Sequence, residues 1–135
     1  VWKETGILDK FPKDGPKKLW TAKVGGGYSG PSVVGDRVYV MDVSGSGAEQ
    51  KERVLCLDAK DGKEVWKHEY PCPYGKVGYP AGPRCTPHVD GELVYTVGTM
   101  GDLFCLTAKD GKEVWRKNYV KDFEAKVPIW GFASH

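Results

Sequence analysis

An all-β fold made of repeated four-stranded antiparallel sheets is what this sequence predicts, on three observations. Leu55-Cys56-Leu57-Asp58-Ala59-Lys60-Asp61-Gly62-Lys63-Glu64-Val65-Trp66 returns 49 residues later as Phe104-Cys105-Leu106-Thr107-Ala108-Lys109-Asp110-Gly111-Lys112-Glu113-Val114-Trp115, with eight consecutive identities from Ala59 and Ala108 onward. Upstream of each copy, Pro31-Ser32-Val33-Val34-Gly35-Asp36-Arg37-Val38-Tyr39 matches Pro87-His88-Val89-Asp90-Gly91-Glu92-Leu93-Val94-Tyr95 at a spacing of 56. Within each unit, short β-branched or aromatic runs alternate with Gly and Asp turns, the signal of strands joined by tight connections.

The second unit reads in order as an inner strand about Arg84 to Val89, a turn at Asp90-Gly91, and a strand from Leu93 to Val97. A turn near Gly101-Asp102, a strand from Leu103 to Leu106, a turn at Asp110-Gly111 and a strand from Glu113 to Tyr119 complete it. Four strands in ~50 residues is the content of one propeller blade. The first unit carries seven extra residues, assigned to a longer hairpin loop in the Gly/Ser/charge-rich stretch from Ser44 to Glu52.

Both ends of the chain fit the same frame. Asp14-Gly15-Pro16-Lys17-Lys18-Leu19-Trp20 reads as the last turn and outer strand of a closing blade, and Ile129-Trp130-Gly131-Phe132-Ala133-Ser134-His135 stands where the next inner strand begins. The expected organisation is therefore a β-propeller fragment with two complete blades, 28–77 and 78–126, and parts of two others, 1–27 and 127–135. An open arc leaves apolar blade faces and strand edges in water, so the expected partners include the remaining blades of a longer chain or copies of itself.

Composition narrows the function classes. With 40% hydrophobic, 12% aromatic and 28% charged residues, the chain is of ordinary globular make-up. The net charge is +2, with Lys and Arg scattered beside Asp and Glu, so the basic stripe of a nucleic-acid binder is missing. No run approaches the ~18 apolar residues of a membrane span.

The repeated segments resemble the tryptophan-docking signature of pyrroloquinoline-quinone-type propellers, Ala-x-Asp-x-x-Thr-Gly-x-x-x-Trp. The matching positions are Cys56, Asp58, Asp61, Gly62 and Trp66, then Cys105, Thr107, Asp110, Gly111 and Trp115, with Trp20 as the outer-strand tryptophan of the closing blade. Cys replaces the leading Ala in both copies, Asp replaces the Thr, and Thr107 replaces the Asp, which puts one polar turn contact in doubt. The segments Thr5-Gly6-Ile7-Leu8, Gly26 to Pro31, Tyr79 to Arg84 and Val127 to Phe132 are similar to the bacterial quinone-binding-like β-propeller repeat proteins, a family labelled after the propeller lipoprotein of the outer-membrane β-barrel assembly machinery. That resemblance implies a seven- or eight-bladed relative, exported and periplasmic or associated with the cell envelope.

The four cysteines and the loops hold the candidate sites. Cys56 and Cys105 occupy one slot in successive repeats and read as small core residues. Cys72 and Cys85 bracket the connection between the two blades and are a candidate disulfide in an exported protein. The spacing of the cysteines with His68, His88 and His135 fits no zinc pattern. The segments before the inner strands face one mouth of the propeller channel and carry Tyr79, Arg84, Trp130 and His135, an aromatic and donor-rich binding set. The competing reading has Arg84 satisfying loop carbonyls.

No carboxylate pair, nucleophile elbow or phosphate loop stands out. The leading expectation is a non-enzymatic exported module binding a protein or glycan partner through its mouth loops. The alternatives are a fragment of a quinone-dependent dehydrogenase and a self-assembling structural arc. No cofactor is expected: dehydrogenases of the quinone type use an adjacent Cys-Cys pair, which this chain lacks.

Overall fold

The structure, a computed structural model, describes residues 9–133. Two four-stranded antiparallel sheets form in simple meander order. The first blade is β1 (Ser32–Val34), β2 (Arg37–Ser44), β3 (Lys51–Asp58) and β4 (Glu64–Pro71); the second is β5 (His88–Asp90), β6 (Leu93–Val97), β7 (Asp102–Thr107) and β8 (Glu113–Asn118). The chain is a fragment of propeller blades, and the inner strands β1 and β5 lie side by side, with the Ser32 hydroxyl donating to the Pro87 carbonyl.

Burial on both faces explains why β3 is apolar without a break from Val54 to Leu57. Val54 and Cys56 point into the layer between the blades, with Tyr39, Met41, Trp66, Tyr70, Val94, Phe104 and Leu106. Leu55 and Leu57 point to the opposite face, where they meet Val38, Trp20, Ala22 and Ala59. A strand covered on both faces has no polar side to show.

The repeated turns are built for a ring to lie on them. Gly62 and Gly111 sit at φ of 73° and 69°, and a Cβ on Gly62 would stand 2.5 Å from Trp20 Cε3, as one on Gly111 would collide with Trp66. Each glycine thus supplies a positive φ and a flat landing for an indole. Trp20 Nε1–H donates to Ala59 O at 2.8 Å, and Trp66 Nε1–H donates to Ala108 O at 2.9 Å. Trp66 therefore reaches from the outer strand of one blade onto the turn of the next, and it is 8% exposed.

Trp115 holds the same register, opposite Cys105 as Trp66 is opposite Cys56, with a bulge one residue later in both. It is nevertheless 40% exposed, because among the described residues no further blade offers it a turn. Cys56 and Cys105 are fully buried in these equivalent slots, and burial pushes the Cys56 thiol up to about 11. At Thr107 the turn contact is remade: its hydroxyl donates to Asp110 and accepts from Lys112 N–H at 3.0 Å. The Lys112 ammonium and this hydroxyl hold Asp110 down to about 2.

Several sequence expectations are corrected. The inner strand of the second blade is only His88–Asp90, because Pro83 and Pro87 lack the N–H groups a ladder needs. The turn between β6 and β7 falls at Thr99-Met100, and Asp102 already belongs to β7. The extra residues of the first unit lengthen β2 and β3 to eight residues each, leaving only Gly45 to Gln50 as connection. Residues 14–20 form no outer strand, since a lone segment without partner strands cannot build a ladder; Trp20 keeps its place through side-chain contacts alone. Past Asn118 the chain turns into a one-turn helix, α1 (Tyr119–Phe123), where strand was expected. Asn118 caps it by accepting from Val120 N–H and Lys121 N–H, both at 3.0 Å.

His68 on β4 packs edge-on against Phe104 with ring centroids 4.8 Å apart, and its Nε2 is buried without a hydrogen-bond partner. Burial lowers its pKa, partly opposed by the nearby Glu113 carboxylate and helped by a smaller push from Arg116. The folded chain then binds fewer protons at this site than the unfolded chain below the ordinary histidine value of ~6.5. Stability is fully present above that value and falls as pH drops through the depressed folded pKa. His68→Phe is expected to flatten the fall in urea midpoint between pH 7 and pH 5; an unchanged slope would refute this account.

Candidate mouth-loop site

Three successive loops, 25–31, 78–87 and 127–133, precede equivalent inner-strand positions and lock onto one another through their backbones. Tyr28 N–H donates to Pro83 O at 2.8 Å, and Gly78 N–H donates to Ile129 O at 2.6 Å. The Ser29 hydroxyl bridges to Cys85 O at 2.7 Å while accepting from Met41 N–H at 3.2 Å. Each loop is also pinned to a blade. Val43 N–H donates to Gly26 O and, at the equivalent place in the next blade, Phe132 N–H donates to Thr99 O, each at 2.9 Å. Buried Asp42 holds the first loop by accepting from Gly25 N–H at 2.6 Å, and Arg53 neutralises it with two hydrogen bonds.

Of the four residues expected at the channel mouth, the structure brings three together. Tyr79 and Trp130 stack with centroids 5.2 Å apart and planes 25° from parallel. Arg84 lies over the ring of Tyr28, 5.2 Å from its centroid. These four side chains line a shallow concavity of 340 Å³. His135 lies outside the described residues. Tyr28 lies in the first of these loops at the place Arg84 holds in the second, by the 56-residue spacing, so repeat position marks the location without predicting an aromatic side chain there.

Arg84 also does what the competing reading asks of it. Its Nη1 donates to Gly82 O at 2.7 Å, and its Nη2 donates to Gly78 O at 2.8 Å and Tyr79 O at 2.6 Å. The guanidinium is a clasp that closes the loop on itself and holds Tyr79 in the left-handed region at φ 52°. Gly78 is bare because Trp130 lies on it; an added Cβ would be 2.8 Å from the indole.

Beneath the loop runs a network that sequence reasoning missed. Glu52 is 0% exposed and accepts from Tyr70 Oη at 2.6 Å, Tyr74 Oη at 2.5 Å and Thr99 N–H of the next blade at 3.1 Å. The Thr99 hydroxyl in turn donates to Tyr74 Oη at 3.1 Å. Burial first, and the neighbouring carboxylate second, push both phenols well above their usual range, so both remain donors. The available signal was strand periodicity: Glu52 stands two and four residues before Val54 and Cys56, on their face.

Cys72 is a free thiol, so the candidate bridge to Cys85 is not formed. The two lie in one buried cluster, where the Met100 N–H faces the Cys72 sulfur, and burial pushes this thiol far up. Among the described residues no group of three or more His, Cys, Asp or Glu is placed to hold a metal ion. No two cysteines are adjacent in the chain.

The model of the family described as outer membrane protein assembly factor BamB matches residues 5–68 and 50–129, two overlapping stretches that together take in both blades. The chain belongs to this family. Among solved structures, BamB from Moraxella catarrhalis is similar with a TM-score of 0.57 at 22% identity, over 74% of this chain and 28% of that one. At that identity the likeness is one of fold, and this BamB-family chain spans less than a third of that relative. No curated protein matches it. No helix among the described residues is long and apolar enough to cross a membrane.

Proposed function

We propose that this chain is part of a non-enzymatic propeller of the bacterial cell envelope that acts as a scaffold, recognising a protein or glycan partner through its mouth loops. The observation that carries the reading is the convergence of Tyr28, Tyr79, Arg84 and Trp130 from three separate loops into one concavity. Their rings are more than half exposed at Tyr28, Tyr79 and Trp130, on loops fixed by backbone and clasp hydrogen bonds. Rigid loops presenting exposed aromatic surface at one end of a β scaffold are the usual form of a recognition site. The family's description as an assembly factor supports placing the chain among proteins that serve outer-membrane protein assembly, exported to the periplasmic side.

A photo-crosslinking amino acid at position 79, in protein exported in a Gram-negative host, is expected to yield a discrete adduct. The same group at exposed Leu19 is expected not to. Equal labelling from both positions, or none from 79, would overturn the reading, as would quinone- and Ca²⁺-dependent oxidation of alcohols or sugars by the protein.

A further inference from the structure

Resting on the mouth-loop reading, the geometry points to the kind of partner this site takes: a polypeptide segment that seats an aromatic side chain against Tyr79 and Trp130. Four observations lead there. The concavity of 340 Å³ lies near the lower end of the ~300–1,000 Å³ range of ligand pockets, room for one large side chain and little more. Its walls are ring faces and the flat of a guanidinium, with almost no polar surface. Both terminal nitrogens of Arg84 are committed, to the Gly78, Tyr79 and Gly82 carbonyls and the Thr99 hydroxyl, so the cation offers chiefly its plane and charge, with four of its five N–H donors engaged. Finally, Tyr79 is held at a φ that a non-glycine residue rarely adopts, a strain that persists because the clasp grips the Tyr79 carbonyl itself.

The first three of these observations discriminate between occupants. A carboxylate or phosphate needs in-plane guanidinium donors, and those donors point into the loop. A sugar can lie on an aromatic face, but its hydroxyls need fixed polar partners to become specific, and the four lining residues turn few toward the concavity. An electron-rich ring complements what remains: stacking on the Tyr79–Trp130 pair and attraction to the guanidinium charge. A free small molecule would stay mostly in water on so shallow a surface, whereas a side chain on a polypeptide brings surrounding contacts that exclude water around it. Ile129, 69% exposed beside Trp130, extends the apolar rim for those contacts.

The test follows the Trp130 indole N–H and the backbone amides of Gly78, Tyr79, Ala81, Gly82 and Arg84 in ¹⁵N–¹H spectra during separate titrations with N-acetyl-tryptophanamide, N,N′-diacetylchitobiose and inorganic phosphate. The aromatic amide is expected to shift these resonances saturably, with at least tenfold weaker binding to Trp130→Ala and unchanged binding to Val33→Ser, a substitution at an exposed strand position. Saturable shifts from the disaccharide or phosphate without the aromatic amide would overturn the inference while leaving a mouth-loop binding module in place. Absence of shifts with all three would also overturn it, and crosslinking at position 79 then decides independently whether the mouth loops engage any partner.

Discussion

Trp66→Ala is expected to cost about 3–5 kcal/mol of unfolding free energy, whereas the matching change Trp115→Ala costs about 1 kcal/mol. The two tryptophans stand in identical sequence contexts, eight consecutive residues shared, and in the same strand register. They differ in what lies beyond them. Trp66 is pressed on Gly111, tied to Ala108 O and tilted against Tyr39 with centroids 5.9 Å apart. Trp115 keeps the equivalent tyrosine contact, with Tyr95 at 6.1 Å, but among the described residues has no turn beneath it. Removing Trp66 opens a void in the interblade layer that packed strands cannot collapse to fill. Urea unfolding of the two variants, followed by far-UV circular dichroism, measures the contrast. Equal losses would mean that the tryptophan stabilises its own blade and not the junction.

Glu52→Leu is the second large effect expected, a loss of about 3 kcal/mol. Leucine removes the only acceptor shown for three donors: the buried Tyr70 phenol, the half-buried Tyr74 phenol of the exit loop, and the buried Thr99 amide of the second blade. Each orphaned donor costs about 1–3 kcal/mol, offset in part because a buried carboxylate no longer needs to be desolvated. The geometry leaves no room to adjust, since Gly98 lies so close that a Cβ there would meet Glu52 and Tyr70. Adding Tyr70→Phe and Tyr74→Phe to Glu52→Leu is expected to recover part of the loss, because unpaired hydroxyls are then removed as well. A triple variant less stable than Glu52→Leu alone would show that packing, and not hydrogen bonding, holds this junction. The amides of 78–84 are expected to shift in Glu52→Leu as well, since Thr99 touches both the buried carboxylate and the loop carried by Arg84.

The clustering of the loop side chains was partly legible in the sequence. Tyr79, Arg84 and Trp130 precede inner strands in successive repeats, and repeat position alone predicts that such residues share one end of the fold. Arg84 is the instructive case: it satisfies loop carbonyls, and by doing so it poses the ring beside it. Glu52 was harder to read, although it alternates with Val54 and Cys56 along β3. A charged residue in a Gly/Ser-rich insertion looks solvated, and only the pairing of Glu52 with Tyr70 in the extended ladder places it inside.

By itself the sequence determined the blade. Period-two alternation, Gly-containing turns and a 49-residue recurrence are local properties, and strands joined by short turns pair with their sequence neighbours. Only the tertiary structure decided what happens between blades: which tryptophan is covered, that the buried carboxylate of one blade is answered by the amide of the next, and that Cys72 keeps its thiol. Those contacts join residues more than forty positions apart, as from Glu52 to Thr99 or Trp66 to Ala108, and the spacing along a chain carries no record of the angle at which two sheets meet.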